Sequence, residues 1–160
     1  MNYKKRCWDL ANACRERGLE LRFALSAEKD RYVKHHRTFG GAAWVWLKSP
    51  ADRERAIETI YSLEGVEQVW TRAEAAQRFQ LMPERIGDLI VIGDIDTVFG
   101  DLDTASEDLE AHYRSHGSLH ESKVPLVIFN YTADLPDREL FSTNLDITRI
   151  PLGSWTALPG

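Results

Sequence analysis

Two histidines four residues apart are the side chains best placed for chemistry. His116 and His120 lie in the loop 114–125, beside Gly117 and just before the apolar run 126–129. Imidazole nitrogens are common zinc ligands, and a glycine lets the backbone come close to a metal. A zinc site needs three or four ligands, so two histidines supply only part of one. The pair indicates either part of a metal site or two ordinary surface imidazoles.

Other polar residues give weaker signals. Asp94 and Asp96 follow an apolar run, a usual place for metal or phosphate ligands, although turn residues are the more ordinary interpretation. His35 and His36 are adjacent, and on a strand adjacent side chains point to opposite faces, so at most one could enter a pocket. The sequence contains neither a Gly-rich phosphate loop nor a Gly-x-Ser-x-Gly nucleophile motif, and Gly40-Gly41 indicates only a tight backbone position.

The composition is that of a soluble globular protein. The chain has 160 residues, 43% hydrophobic and 28% charged, which fits one domain with a real core. The net charge of −5 argues against nucleic acid or an anionic membrane as the main partner. No apolar run approaches the roughly 20 residues of a membrane span, and the start shows no signal peptide, which predicts a cytoplasmic location. Cys7 and Cys14 are interpreted as core residues and not as a disulfide.

The first element is predicted to be a helix. Residues 3–17 place Tyr3, Cys7, Leu10 and Cys14 on one apolar face, with no strand before them. Gly18 ends this helix, and the alternating stretch 19–25 predicts a half-buried strand.

Residues 42–79 predict a compact strand–helix–strand–helix unit. Ser49-Pro50 starts a helix that reaches about Leu63, and Thr71 with Glu74 forms the capping box of a second helix that ends near Phe79. The three tryptophans of this unit are interpreted as packing residues of paired strands. They are Trp44, Trp46 and Trp70.

Later elements are predicted from apolar runs and turn residues. They are a strand at 89–92, a hairpin or strand edge at 93–100, an acidic surface loop at 101–110, a buried strand at 124–130 and a short helix within 140–150.

Several motifs together resemble a known family. Arg85-Ile86-Gly87-Asp88-Leu89-Ile90-Val91, Ser115-His116-Gly117-Ser118 and Val124-Pro125-Leu126 are similar to motifs of the type I phosphodiesterase/nucleotide pyrophosphatase family, in the alkaline phosphatase superfamily. Within it, residues 30–36 followed by Gly40-Gly41 most resemble phosphonoacetate hydrolase. The resemblance extends from about residue 30 to about residue 130.

The resemblance implies a fold between α/β and α+β. The chain is expected to be the C-terminal fragment of an alkaline-phosphatase-like fold, with a small inserted α+β subdomain of strand–helix–strand–helix order. Residues 1–27 are predicted to be a helix–strand remnant of the core, 28–84 the cap-like subdomain, and 85–160 the core segment with the His-Gly loop.

The same resemblance implies metal-dependent hydrolysis of phosphodiester, pyrophosphate or phosphonate bonds in a small substrate. Such enzymes hold two divalent metal ions, usually zinc, and use a threonine or serine nucleophile. The histidine of the His-Gly motif ligates one metal, and this role transfers to His116. The resemblance implies no comparable role for His120.

The nucleophile and most metal ligands of the family precede the residues that match. One family motif is Asp-His-Gly-Met-Asn, and Met1-Asn2-Tyr3-Lys4 resembles its end, although a chance match at a start codon would look the same. The chain alone is therefore expected to be catalytically inactive.

Two alternatives do not require catalysis. The chain is either a non-catalytic α+β interaction module that forms a homodimer through Trp44, Trp46 and the strand 124–129, or a metal sensor. The sensor would use His112, His116 and His120.

Overall fold

The computed structural model of this chain describes residues 2–26, 37–129 and 137–147. The chain divides into two compact units, Met1–Val124 and Pro125–Gly160. The strands are β1 Asn2–Tyr3, β2 Arg6–Trp8, β3 Leu21–Ser26, β4 Ala42–Leu47, β5 Val66–Thr71, β6 Leu89–Gly93, β7 Thr97–Phe99, β8 Ser106–Asp108 and β9 Arg114–Ser115. The α-helices are α1 Leu10–Glu16, α2 Arg53–Tyr61 and α3 Arg72–Phe79. Short 3-10 turns occupy Pro50–Asp52, Pro83–Arg85, Leu119–Glu121 and Arg138–Leu140.

The largest sheet has the strand order β3-β4-β6-β5, with antiparallel neighbours throughout. One face of this sheet carries the main core. Val45 and Val91 from the sheet are fully buried in one cluster with Leu10 of α1 and Ile60 of α2. The mixed α/β character predicted from the sequence is confirmed.

The strand–helix–strand–helix elements of residues 42–79 are confirmed. Ser49 accepts a hydrogen bond from the amide of Ala51 and starts a 3-10 turn that runs into α2. Thr71 and Glu74 form the predicted capping box, and α3 ends at Phe79. These boundaries follow from side chains that satisfy free amides at helix starts.

The tryptophans pack as predicted. The Trp46 ring stacks on Phe23 with centroids 4.4 Å apart, and Trp70 meets Phe79 of α3 edge-on at 5.6 Å. Trp44 packs against the buried cluster that α3 and β6 form on the second face of the sheet.

The prediction of a helix over residues 3–17 is wrong in its first half. Residues 2–3 and 6–8 form β1 and β2, and the helix begins at Leu10. Strand β2 lies between β7, to which it is parallel, and β8, to which it is antiparallel. The Asp9 side chain accepts a hydrogen bond from the Asn12 amide at 2.9 Å, which sets the start of α1. Arg6 and its β7 partner Thr97 are 91 residues apart in the sequence, and the β8 partners lie farther still, so no local pattern reveals this strand.

Two later predictions also need correction. The described residues 124–129 form no regular element, and Val127 and Phe129 are 85% and 92% exposed instead of buried. An apolar β-branched run forms a strand only where another strand supplies hydrogen bonds. The acidic stretch 101–110, predicted as surface loop, contains the strand β8 because β2 pairs with it.

Within the segment 93–100, predicted as a hairpin or strand edge, Thr97–Phe99 form the strand β7, which pairs with β2. Residues 144–147 are helical, and residues 148–150 of the predicted short helix lie outside the described residues, as does Asn130. In the parts of the chain that the structure describes, no helix has the length and apolar content needed to cross a bilayer. The sheet β3-β4-β6-β5 takes strands from all three predicted segments. The boundaries of these segments, and the insertion of a subdomain, stay predictions.

Candidate functional site

The loop that carries His116 begins on a strand pair. Strand β9 runs antiparallel to β1, with Ser115 opposite Asn2. Ser115 is fully buried, and its hydroxyl donates to the carbonyl of Phe39 at 2.5 Å. His116 follows at once and is exposed. The fold thus places this imidazole at the surface directly after an anchored residue.

The double glycine Gly40-Gly41 packs against this loop. The Gly41 amide donates to the His116 carbonyl at 2.8 Å, and the Gly93 amide donates to the Gly41 carbonyl at 2.9 Å. A Cβ on Gly41 would lie 2.7 Å from the amide nitrogen of Ser118, closer than packed atoms allow. The tight backbone position predicted at Gly40-Gly41 is therefore a contact between two loops.

A 3-10 turn closes the loop after His116. Gly117 has φ +99°, a conformation that residues other than glycine rarely adopt. Ser118 caps the turn Leu119–Glu121: its hydroxyl donates to Glu121 Oε2 at 2.5 Å and accepts from the His120 amide at 3.2 Å. The Ser118 amide also donates to Glu121 Oε2, at 3.0 Å.

A buried ion pair connects this turn to β1 and the residues after it. The Lys4 side chain is 0% exposed, and its ammonium lies 3.0 Å from Glu121 Oε1 and donates to the Ile95 carbonyl at 3.1 Å. The Asn2 amide nitrogen Nδ2 donates to the same carboxylate oxygen at 2.8 Å. Burial alone would raise the pKa of Glu121, but hydrogen bonds from Ser118 and the charge of Lys4 outweigh it and hold the pKa below its usual value.

The spacing of His120 and His116 suggested a shared metal, but His120 contacts a carboxylate instead. Its Nε2 lies 2.7 Å from Glu67 Oε2 on β5, so the ring ties the 3-10 turn to the edge strand of the large sheet. Across residues 2–26, 37–129 and 137–147, no three or more His, Cys, Asp or Glu side chains come together to hold a metal. His112, His116 and His120, which the sensor hypothesis combines, are therefore not gathered into one cluster in the described part of the chain. One imidazole does not by itself fit a two-metal centre.

No protein-family model matches this sequence. The solved structures that match its fold include two of phosphonoacetate hydrolase from Sinorhizobium meliloti 1021. The chain is similar to a part of that enzyme. The complex with phosphonoacetate matches 71% of this chain and 28% of its own length, at 28% identity and a TM-score of 0.60. The complex with phosphonoformate matches 60% of this chain and 24% of its own length, at 31% identity and a TM-score of 0.51.

The resemblance to phosphonoacetate hydrolase that the sequence predicts is thereby confirmed, as is the match to part of an alkaline-phosphatase-like enzyme. The chain spans about a quarter of the length of these solved structures. The role of His116 as a metal ligand stays a prediction.

Of the other candidate site residues, Asp94 and Asp96 have structural partners, and the two adjacent histidines are not described by the structure. Asp94 Oδ1 accepts from the Asp96 amide at 3.0 Å, and the two carboxylates pair with Arg6 and Lys5, which confirms the turn interpretation. His35 and His36 lie outside the described residues.

The two cysteines are core residues. Both are free and buried, which confirms the prediction that they form no disulfide with each other. Burial is the main reason that the pKa of Cys14 rises, to about 11, with the positive charge of Arg17 opposing it. Burial also raises the pKa of Cys7, and nearby Glu107 adds to the effect.

Sequence reasoning missed Lys4 and Glu121. The pattern Ser118-x-x-Glu121 is a capping-box signature and could have revealed the turn. Lys4 carried no such signal, because lysine is almost never fully buried unless it is paired.

Proposed function

We propose that this chain corresponds to a part of a metal-dependent hydrolase whose substrate is a small phosphonate, with phosphodiesters and pyrophosphates as related substrates. The observation that carries this proposal is the similarity to phosphonoacetate hydrolase over 71% of the chain. The neighbours are complexes with phosphonoacetate and phosphonoformate, and this supports a phosphonate as the substrate class.

Within this proposal, His116 is one ligand of a divalent metal ion, with zinc the first choice. Its exposed ring follows an anchored strand and lies in a loop that three separate contacts hold, which suits a fixed ligand. A metal bound there would supply Lewis-acid activation of the phosphorus centre. Among the described residues, no group of three or more His, Cys, Asp or Glu side chains that could hold a metal forms around it. We therefore propose that the chain alone does not catalyse the reaction.

A chimera tests the assignment of His116. The matched part of the Sinorhizobium meliloti enzyme is replaced by the corresponding part of this chain, and metal-dependent hydrolysis of phosphonoacetate is measured. We expect activity that His116→Ala reduces by about a hundredfold or more, the usual loss for a residue that acts directly in the site. His112→Ala, which changes another exposed histidine of the same region, is the matched control and should leave activity unchanged. A folded, active chimera that tolerates His116→Ala would refute the assignment.

The chain by itself tests the proposed inactivity. Purified chain is incubated with zinc or manganese and with phosphonoacetate or bis-p-nitrophenyl phosphate. We expect no metal-dependent turnover. Turnover that disappears in His116→Ala would show that this chain holds a complete active site.

A second function has one observation in its favour. The apolar segment 124–129 exposes side chains that are normally buried, among them Val127 and Phe129. Exposed apolar surface of this kind favours association, so a non-catalytic module that forms a homodimer is the alternative. Light scattering tests it: we expect a dimer that Val127→Ser and Phe129→Ser convert to monomer, whereas a monomeric unaltered chain would reject it. The cytoplasmic location and the lack of a nucleic-acid partner stay predictions from the sequence.

A further inference from the structure

We propose that the buried ion pair between Lys4 and Glu121 is a positioning device for His116. It fixes the backbone before and after this residue, so that the imidazole is presented in one orientation. The inference rests on the proposed function in one respect only, namely that the oriented ring is there to meet a metal.

The backbone before His116 is fixed through β1. The Lys4 amide donates to the Tyr113 carbonyl at 3.0 Å, and Ser115 pairs with Asn2. The buried hydroxyl of Ser115 adds a bond to Phe39. The chain therefore enters the loop from a residue with three separate constraints around it.

The backbone after His116 is fixed through the carboxylate of Glu121. One oxygen, Oε2, accepts from both the amide and the hydroxyl of Ser118. The other oxygen, Oε1, accepts from Lys4 and Asn2. A single carboxylate thus joins Ser118 to β1, the strand that pairs with β9.

Only His116 and Gly117 lie between these two fixed points. The His116 carbonyl is itself bound to the Gly41 amide at 2.8 Å, and Gly117 is held at φ +99°. Because the rotamers that a side chain can adopt depend on its backbone φ and ψ, a main chain fixed in this way also restricts the χ1 torsion of His116.

That this pair is charged, and not apolar, indicates that its role is to position the loop and not to stabilise the fold. A buried ion pair seldom stabilises a fold more than an apolar pair of similar volume, because both charges lose their hydration. It does provide directional hydrogen bonds that an apolar pair lacks. Four of these bonds converge on Glu121, and two of them set the position of Ser118.

The test uses the full chain and the double variant Lys4→Met/Glu121→Leu. This variant removes both charges, so neither is left buried without a partner, and keeps His116. NMR measures the χ1 rotamer of His116 and the exchange rate of the Ser118 amide, and urea unfolding measures the stability. The control is Lys5→Met, which removes the neighbouring surface ion pair with Asp96.

We expect one χ1 rotamer of His116 in the unaltered chain and in Lys5→Met. In the double variant we expect averaged rotamers and about tenfold or faster exchange of the Ser118 amide, with the urea midpoint nearly unchanged. If the ion pair served only stability, its removal from a fold that stays stable would not change the rotamers of His116. Averaged rotamers in a stable fold therefore indicate a positioning role. A single His116 rotamer in the folded double variant would overturn the proposal.

If the double variant does not fold, the same NMR measurement is made on Ser118→Ala. It leaves Lys4 and Glu121 in place and removes the hydroxyl that joins the carboxylate to the end of the loop. Averaged His116 rotamers in this variant support the inference, and an unchanged single rotamer overturns it. Zinc is titrated separately and followed on the His116 ring signals. An ordered ring that zinc leaves unshifted counts against the proposed function, while the positioning inference keeps its support.

Discussion

The backbone amide of Gly41 donates a hydrogen bond to the carbonyl of His116, with nitrogen and oxygen 2.8 Å apart. This contact joins the double glycine of one loop to the candidate metal ligand of another. A Cβ at position 41 would meet both the amide nitrogen and the Cβ of Ser118, at 2.7 and 2.8 Å. The absence of a side chain at Gly41 is therefore what lets the two loops approach.

Gly41→Ala should destabilise the chain. The added methyl group collides with the backbone of Ser118, which cannot move without breaking its bonds to Glu121. We expect a loss of about 1–3 kcal/mol in the free energy of unfolding, measured by urea denaturation. Gln77→Ala, on the exposed side of α3, is the control and should change the value by less than about 0.5 kcal/mol. Equal stability of the two variants would contradict the close approach.

Asp9→Ala should also lower stability. The carboxylate accepts from the Asn12 amide at 2.9 Å and from the Leu102 amide at 3.0 Å, so it starts α1 and holds a distant loop. We expect a loss of about 1–2 kcal/mol in the free energy of unfolding. Asp52→Ala is a matched control, because Asp52 precedes α2 but makes no capping hydrogen bond with its side chain. A loss no larger than that of the control would show that Asp9 is not the cap.

Stability should fall in acid through Glu121. Its pKa is lower in the folded chain than in the unfolded chain, where a glutamate titrates near about 4.3. The stabilisation is therefore complete above that pH and is lost as the pH falls through the folded pKa. We expect the free energy of unfolding to drop below pH 4–5 (roughly, by the same linkage) and to drop less in Lys4→Met/Glu121→Leu.

A surface pair provides the comparison for this pH effect. Glu20 also has a lowered pKa, through its hydrogen bond and ion pair with Lys48, but its side chain is exposed to solvent. Salt screens such exposed pairs strongly. The acid dependence assigned to Glu121 should therefore persist at high salt, and its disappearance there would assign it to surface pairs instead.

The two thiols should react only after unfolding. Burial raises the pKa of Cys14 to about 11 and raises that of Cys7 as well, so little thiolate exists at pH 8 (roughly the pKa of a free cysteine). We expect iodoacetamide to modify neither residue in the folded chain and both in urea, as measured by mass spectrometry. Rapid modification of one thiol in the folded chain would mean that its part of the core opens.

Local signals accounted for much of the fold. Thr71 and Glu74 are three residues apart, and the side chain of each accepts a hydrogen bond from the backbone amide of the other. Their spacing alone therefore predicted the start of α3. The apolar run 89–92 likewise predicted β6, a strand buried on both faces.

The errors came from contacts between distant residues. The spacing of Cys7, Leu10 and Cys14 fits a helix face, but β7 and β8 pair with residues 6–8 and pull them into a sheet. The run 124–129 had the composition of a strand, and composition says nothing about whether a neighbouring strand exists. His116 was found through a family motif, whereas the role of Lys4 depends on a carboxylate at the other end of the same compact unit.

The ion pair between Lys4 and Glu121 also has a consequence for the order of folding. Its members are 117 residues apart, so it forms only after most of the intervening chain is in place. Closing so long a loop is entropically unfavourable and slow compared with pairing β3 with β4 or capping α3. The loop from His116 to Glu121 should therefore be the last part of the unit Met1–Val124 to become ordered. During synthesis this loop stays unformed until Glu121 has left the ribosome, and its ordering then marks the end of folding of this unit.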